Sequence, residues 1–212
     1  MKIKRKLLTA VLTLASMSIV AQQKTTLPTH YREYRPSVVT FTDGHQSNQQ
    51  FTNVFLKNSS LLFLSSNTAM EANMSNIVRV DFADRSYINL NGQLAYLVDS
   101  VGANKLYCIE LFDLDSYERN LRNNVNYTDI SLAGDNIGTT TVDLNNEEDY
   151  KIPVVPHYYY YYQGTFVRVK DREVWRKLPK AKRRQYKTIV SSDDFSWVKP
   201  DQLMLLLKSI SE

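Results

Sequence analysis

The chain offers few residues of the kinds that carry covalent or acid–base chemistry. It has three histidines, His30, His45 and His157, and one cysteine, Cys108. A hydrolytic triad needs a base beside a nucleophile, and none of the three histidines stands in a recognisable nucleophile motif. There is no Gly-x-Ser-x-Gly elbow, no His-Glu-x-x-His and no glycine-rich phosphate loop. Cys108 lies in the apolar run Leu106-Tyr107-Cys108-Ile109, the setting of a buried, inert thiol. A lone cysteine also excludes a disulfide framework and a four-cysteine zinc site. Asp113, Asp115 and Glu118 cluster, as do Glu147, Glu148 and Asp149. Neither group has the spacing of a calcium loop, so solvated turns are the simpler reading. Paired carboxylates for glycoside hydrolysis must face each other across a cleft, which only tertiary structure decides. The sequence therefore assigns no catalytic residue, no metal ligand and no cofactor.

Two features suit binding better than catalysis. Five consecutive tyrosines run from Tyr158 to Tyr162. In a strand, Tyr158, Tyr160 and Tyr162 share one face while Tyr159 and Tyr161 share the other. One set can fill a core while the other stacks on a sugar ring or a peptide. The simpler alternative is a hairpin whose tyrosines satisfy β-propensity and pack against neighbouring helices. The second feature is basic. Residues 168–187 hold ten Lys/Arg and two acids, whereas 22–167 hold ten basic and sixteen acidic residues. Arg172, Arg176, Lys180, Arg183, Arg184 and Lys187 are the candidate surface for an anionic lipid or an acidic envelope protein. The competing reading is a solvated helix face balanced by the acidic part of the same chain.

Hydrophobic periodicity sets the frame for these residues. Val38-Val39-Thr40-Phe41, then Phe51 to Leu56 and Leu61 to Leu64, read as strands, the last two joined by an Asn/Ser turn. Val78, Val80 and Phe82 alternate with polar residues, and Asn91-Gly92 between apolar runs is a strong hairpin signal. Residues 76–112 thus read as a four-stranded antiparallel meander. Asp115-Ser116 could cap a short helix running to 123, with Tyr117 on its inner face. Residues 124–150 are a polar insertion, with one candidate strand at 139–144. Lys151 to Val169 returns to strand character, with Gln163-Gly164 at its turn and with Pro153 and Pro156 marking an edge. Arg172–Leu178, Lys180–Val190 and Asp201–Ile210 read as helices.

The start of the chain reads as an address. Lys2, Lys4, Arg5 and Lys6 precede an apolar run, Leu7 to Val20, and small residues lead to a cleavage point after Ala21. That run is shorter than the roughly 20 residues a spanning helix needs. Removing residues 1–21 takes away four basic residues and no acid, so the net charge falls from +4 to 0. The basic pI belongs to the leader, and with no reader motif a nucleic-acid partner is not expected. Residues 22–36, polar and with Pro28 and Pro36, are expected to be a flexible segment that becomes ordered only if it docks.

Val54-Phe55-Leu56-Lys57-Asn58, Ala72 to Val80, Asp84-Arg85-Ser86-Tyr87, and Tyr160 to Val169 followed by Leu178-Pro179-Lys180 form a recognisable succession. It resembles a group of exported Bacteroidetes proteins of unknown function, with a β-hairpin core and a C-terminal helical tail. The likeness spans about 50–85 and 157–210 and departs at Ser59, where glycine is usual in that group. It implies fold and export, not an activity. Asp99-Ser100-Val101 resembles the short O-glycosylation acceptor of exported Bacteroidetes proteins, which makes Ser100 a candidate modification site.

The expectation is an α+β protein with an antiparallel β-meander core, a Tyr-rich hairpin and C-terminal helices. Its parts would be a leader (1–21), a flexible polar segment (22–36), a β core with a short helix (37–123), an insertion (124–150), and the Tyr-rich hairpin with its basic helical tail (151–212). It would be exported, and would act in the periplasm, at the outer membrane or outside the cell. The first functional expectation is a non-catalytic interaction protein of the envelope. The second is a glycan-acting enzyme or glycan-binding module using the Tyr hairpin, and the third a structural accessory subunit. No transmembrane span is expected once the leader is removed.

Overall fold

A computed structural model describes residues 27–122 and 152–211. The fold is α+β, as the patterning predicts. Ten antiparallel strands form one sheet: β1 (Arg35–Phe41), β2 (Gln46–Phe55), β3 (Ser60–Ser65), β4 (Thr68–Glu71), β5 (Ile77–Phe82), β6 (Ser86–Leu90), β7 (Gln93–Val101), β8 (Asn104–Phe112), β9 (Val154–Tyr162) and β10 (Thr165–Arg168). A short helix α1 (Leu114–Arg122) follows β8, and α2 (Asp171–Lys177), α3 (Arg183–Val190) and α4 (Pro200–Ser211) follow β10. The strand order is β10-β9-β8-β7-β6-β5-β1-β2-β3-β4. Sequence neighbours are therefore spatial neighbours except at one point, where the chain leaves β4 and returns to pair β5 with β1. A 3-10 turn, Met74–Asn76, makes this return, and the Asn89 side-chain amide holds it by donating to the Met74 and Ile77 carbonyls. Hairpin signals are local and readable. A pairing between β1 and β5 is not, because nothing local fixes it.

The sheet curls on itself. The β2–β3 turn reaches β7, where Ser59 O accepts from Leu94 N at 2.6 Å and Ser59 Oγ donates to Leu94 O at 2.8 Å. Phe112 N donates to Leu56 O at 2.8 Å on the same side. Val39, Val54, Leu61, Val80 and Leu94 fill the inside of the curl. Ser59 occupies the left-handed region at φ 56° and is buried. A β-branched residue is strained there, and valine would also remove the hydroxyl that Leu94 O accepts from. Ser59→Val is expected to destabilise the protein by about 3 kcal/mol, and Ser59→Gly by about 1 kcal/mol, in equilibrium urea unfolding. Equal midpoints for the two variants would show that the curl does not depend on this junction.

Two expectations need correction. The polar segment expected to be flexible is packed from residue 27 onward. Thr29 bridges to Phe55, and Tyr31 and Tyr34 are buried. The reason is Asn53, fully buried in β2. Its side chain accepts from Tyr31 N and Val54 N and donates to the Tyr31 and Glu33 carbonyls. The cap of α1 is Asp113, not Asp115-Ser116. Asp113 Oδ1 accepts from Ser116 N at 2.9 Å, and Oδ2 accepts from Ser116 Oγ at 2.7 Å. Finally, β4 and the polar first half of β2 have no counterpart in the sequence reading. Gln46–Gln50 pairs with β1 beyond the core and shows no apolar alternation. The β3–β4 hairpin turns through Ser66 and Asn67, both at positive φ, and that pair was the available signal. Pro156 is paired with Glu110 of β8, but β10 has already ended, so its other side is open, which is where proline is tolerated. The insertion 124–150 and its candidate strand lie outside the described residues.

The helices pack on one face of β7–β10. Leu203, Leu206, Leu207 and Ile210 of α4 are 0–2% exposed, each worth roughly 1.5–3 kcal/mol of gross burial. Tyr160 Oη donates to Leu203 O at 2.7 Å and Tyr162 Oη to Ile210 O at 3.2 Å, so the tyrosine tips satisfy α4 carbonyls. This second core adjoins the one inside the curl, with Tyr96 packed against both, and it fixes where α2 and α3 sit.

Candidate functional surfaces

The basic residues lie on α2, the 3-10 turn Lys180–Lys182 and α3. Val174, Leu178 and Tyr186 anchor these elements in the second core, which leaves the charged positions outward. Arg172, Arg176, Lys180, Arg184 and Lys187 are exposed, and Arg183 is half-buried. Arg183 and Lys187 sit over the Trp175 ring, at 4.9 and 5.2 Å from its centroid. Among the described residues none of these six cations is in an ion pair. The acids pair elsewhere: Asp84 with Arg35, Asp81 with Arg79, Glu118 with Arg122, and Glu110 with His30 and Arg85. Among the described residues, then, the acids of the β part do not pair with these six cations.

The helix ends sharpen the point. Asp171 and Glu173 open α2, and Arg176 and Lys177 close it, each sign on the side the helix dipole favours. α3 departs from this at its N-terminal end. It has no acid in its first turn and starts on Arg183-Arg184, just after Lys180 and Lys182. Cations at a helix N-terminus cost about 0.3–1 kcal/mol each. The C-terminal end of α2 and the N-terminal end of α3 therefore form one dense positive surface, and local stability does not explain its α3 half.

The tyrosines divide as the strand period predicts. Tyr158, Tyr160 and Tyr162 are buried under the helices. Tyr159 and Tyr161 are on the opposite face of β9, half-buried against Leu90, Ala95, Tyr107 and Ile109. They are not a free-standing row. The exposed ring on that face is Phe166, 5.0 Å from Tyr161 and 5.8 Å from Tyr107. Phe166 pairs across the strands with Tyr161, and the sequence reading did not single it out. Arg168 shares this face and donates to His157 Nδ1 at 3.1 Å. Burial, and then the charges of Arg168 and Lys170, hold the His157 imidazole below its ordinary value, so it stays neutral and accepts.

A third group escaped the sequence reading because its members come from distant positions. Glu110 of β8 receives His30 Nδ1 at 3.1 Å and Tyr96 Oη at 3.0 Å, and Arg85 lies 3.9 Å away with its guanidinium over the Tyr96 ring. Burial alone would raise the Glu110 carboxyl. The hydrogen bond and charge of His30, the Tyr96 hydroxyl and the Arg85 charge outweigh it and hold the group below its usual range. Burial pushes Tyr96 far upward, so it stays protonated. This is a pin for the N-terminal segment. A carboxylate with a depressed folded value contributes stability that is complete above its unfolded value, near 4.3, and is lost as the pH falls through the folded value. Acid unfolding is therefore expected to be steeper below pH 4.5 in the wild type than in Glu110→Gln, read from urea midpoints across that range. Parallel profiles would contradict the pin.

The remaining candidates do not come together as a site among the described residues. Cys108 is fully buried and its thiol is pushed up to about 12 by burial first. Asp113 caps α1, and Glu118 pairs along the same helix with Arg122. Glu147, Glu148 and Asp149 lie outside the described residues. Ser100 is exposed at the end of β7, beside the turn at Gly102. Among the described residues no three His, Cys, Asp or Glu side chains are grouped to hold a metal ion. Among them, too, no helix is long and apolar enough to cross a membrane. Comparison with known protein families, curated proteins and solved structures finds no match to this chain.

Proposed function

We propose that the protein is an exported, non-catalytic interaction protein that docks on an anionic lipid surface through α2 and α3. One observation carries this reading: a net charge of +8 over residues 168–187 whose exposed cations have no acidic partner among the described residues. Lipid is favoured over an acidic protein by what accompanies the charge. Trp175 stands half-exposed among the cations, with Arg183 and Lys187 over its ring. Basic residues around a tryptophan suit the headgroup boundary, with each cation worth about 1 kcal/mol there. Export rests on the leader and the cleavage after Ala21, and places the anionic surface in the envelope. Co-sedimentation with neutral vesicles and with vesicles containing a third anionic lipid tests the proposal. Binding only to the anionic vesicles, reversed by salt, supports it; no binding to either would remove it.

A second reading has its own observation. The Tyr107–Tyr161–Phe166 group is an aromatic face on the side of the sheet away from the helices. It would stack on a glycan, and loss of glycan-array binding in Phe166→Ala would show it. Ser100 is proposed as an O-glycosylation site, and the intact mass of the native protein tests that directly.

A further inference from the structure

The curl is open at one end. A cleft of about 260 Å³ enters there between β1, β3 and the return from β4 to β5. Val39, Leu61 and Ile77 form its floor and belong to the core of the curl. Phe41, Phe63 and Ala72 form its walls, all half-buried. No Lys, Arg, His, Asp or Glu lines it. The rim is amide: Gln49, Asn73 and Asn76. The hydrogen bonds of this rim are directional. Ser75 N and the single hydrogen of Ser75 Oγ go to Asn73 Oδ1, at 3.1 and 2.8 Å, with Asn76 Oδ1 at 3.2 Å the weaker alternative for that hydrogen. Asn73 thus spends its acceptor end on Ser75, and its N–H₂ donor, like that of Asn76, has no partner among the described residues.

We infer that this cleft binds a small, neutral, medium-chain acyl compound, with its chain on Val39, Leu61 and Ile77 and its carbonyl oxygen at the Asn73 and Asn76 amides. The apolar floor selects the chain. The donor rim selects an acceptor head, and the absence of a lining cation disfavours an ionised one, whose desolvation would have no compensating charge. At an interior packing density of about 0.74, the cleft holds a molecule of roughly 190 Å³, on the order of ten heavy atoms. Apolar pockets with a few convergent polar groups at the mouth of a curled sheet are typical small-ligand sites.

Methyl octanoate is a suitable probe, with octanoate and octyltrimethylammonium as chain-matched ions. Methyl NMR of the purified protein should show saturable shifts confined to Val39, Leu61 and Ile77, with a dissociation constant on the order of 100 μM. Both ions should bind at least tenfold more weakly. Ala72→Phe, which fills the cleft from its half-exposed wall, should weaken the ester at least tenfold. Contacts from the ester to the Leu61 and Ile77 methyls, read by transferred magnetisation in the wild type, give the same answer without any substitution. Absence of saturable shifts up to the solubility of the ester would overturn the inference. So would undiminished binding in a folded Ala72→Phe protein, or equal affinity for the ester and the two ions.

Discussion

Replacing Arg172, Arg176, Lys180 and Arg184 together by glutamine is expected to lower the affinity for anionic vesicles by two to three orders of magnitude. The magnitude follows from roughly 1 kcal/mol per cation near an anionic surface, with tenfold for each 1.4 kcal/mol. All four side chains are exposed, and none has an ion-pair partner among the described residues. Their removal should therefore leave the fold intact, and glutamine is as good a helix former as the residues it replaces. At Arg184 the change should even relieve the unfavourable cation at the start of α3. Stability held or slightly raised, together with binding lost, is the combination that separates a docking surface from a structural one. Binding lost with a large drop in the unfolding midpoint would show instead that the four cations support the helical layer.

Asn53→Leu is expected to cost about 3–5 kcal/mol. Asn53 is fully buried, and its amide meets two backbone N–H groups and two backbone carbonyls. Leucine has similar bulk but leaves Tyr31 N and Glu33 O without the Asn53 partner, while Tyr31 O keeps the Thr29 hydroxyl, and buried orphaned groups cost about 1–3 kcal/mol each. The loss should be local before it is global. Residues 27–34 are held by Asn53, the Thr29–Phe55 bridge and the His30–Glu110 contact. Hydrogen exchange at Tyr31 should rise sharply while exchange in β8 and β9 stays slow. Uniform acceleration across the sheet would show that the N-terminal segment and the curl unfold as one unit.

The two cases explain what the sequence shows and what it hides. Features with a short period were readable. The meander from β5 to β8, the hairpin at Gln163-Gly164, the division of the five tyrosines and the end of α2 before Pro179 all follow from alternation, turn chemistry or proline sterics. Features that depend on distant partners were not. Asn53 looks like any polar strand residue until Tyr31 and Glu33 are beside it. Glu110 looks like a solvent-facing strand acid until His30, 80 positions away in sequence, closes on it. The β1–β5 pairing and the cleft it helps to frame have no local signature at all. The basic face lay between these extremes. Its residues could be named from sequence, but the absence of acidic partners required the positions of every described carboxylate.

Docking through α2 and α3 brings the face around Trp175 to the lipid. Both tryptophans, Trp175 and Trp197, lie in the helical layer, so Trp197→Phe leaves a single reporter. Fluorescence of Trp175 with vesicles carrying brominated acyl chains measures its proximity to the bilayer. Quenching is expected with anionic brominated vesicles, little with neutral ones, and recovery on raising the salt to 1 M, where the Debye length is about 3 Å. A protein that sediments with anionic vesicles while Trp175 remains unquenched would be bound through another face, and docking through α2 and α3 would be wrong.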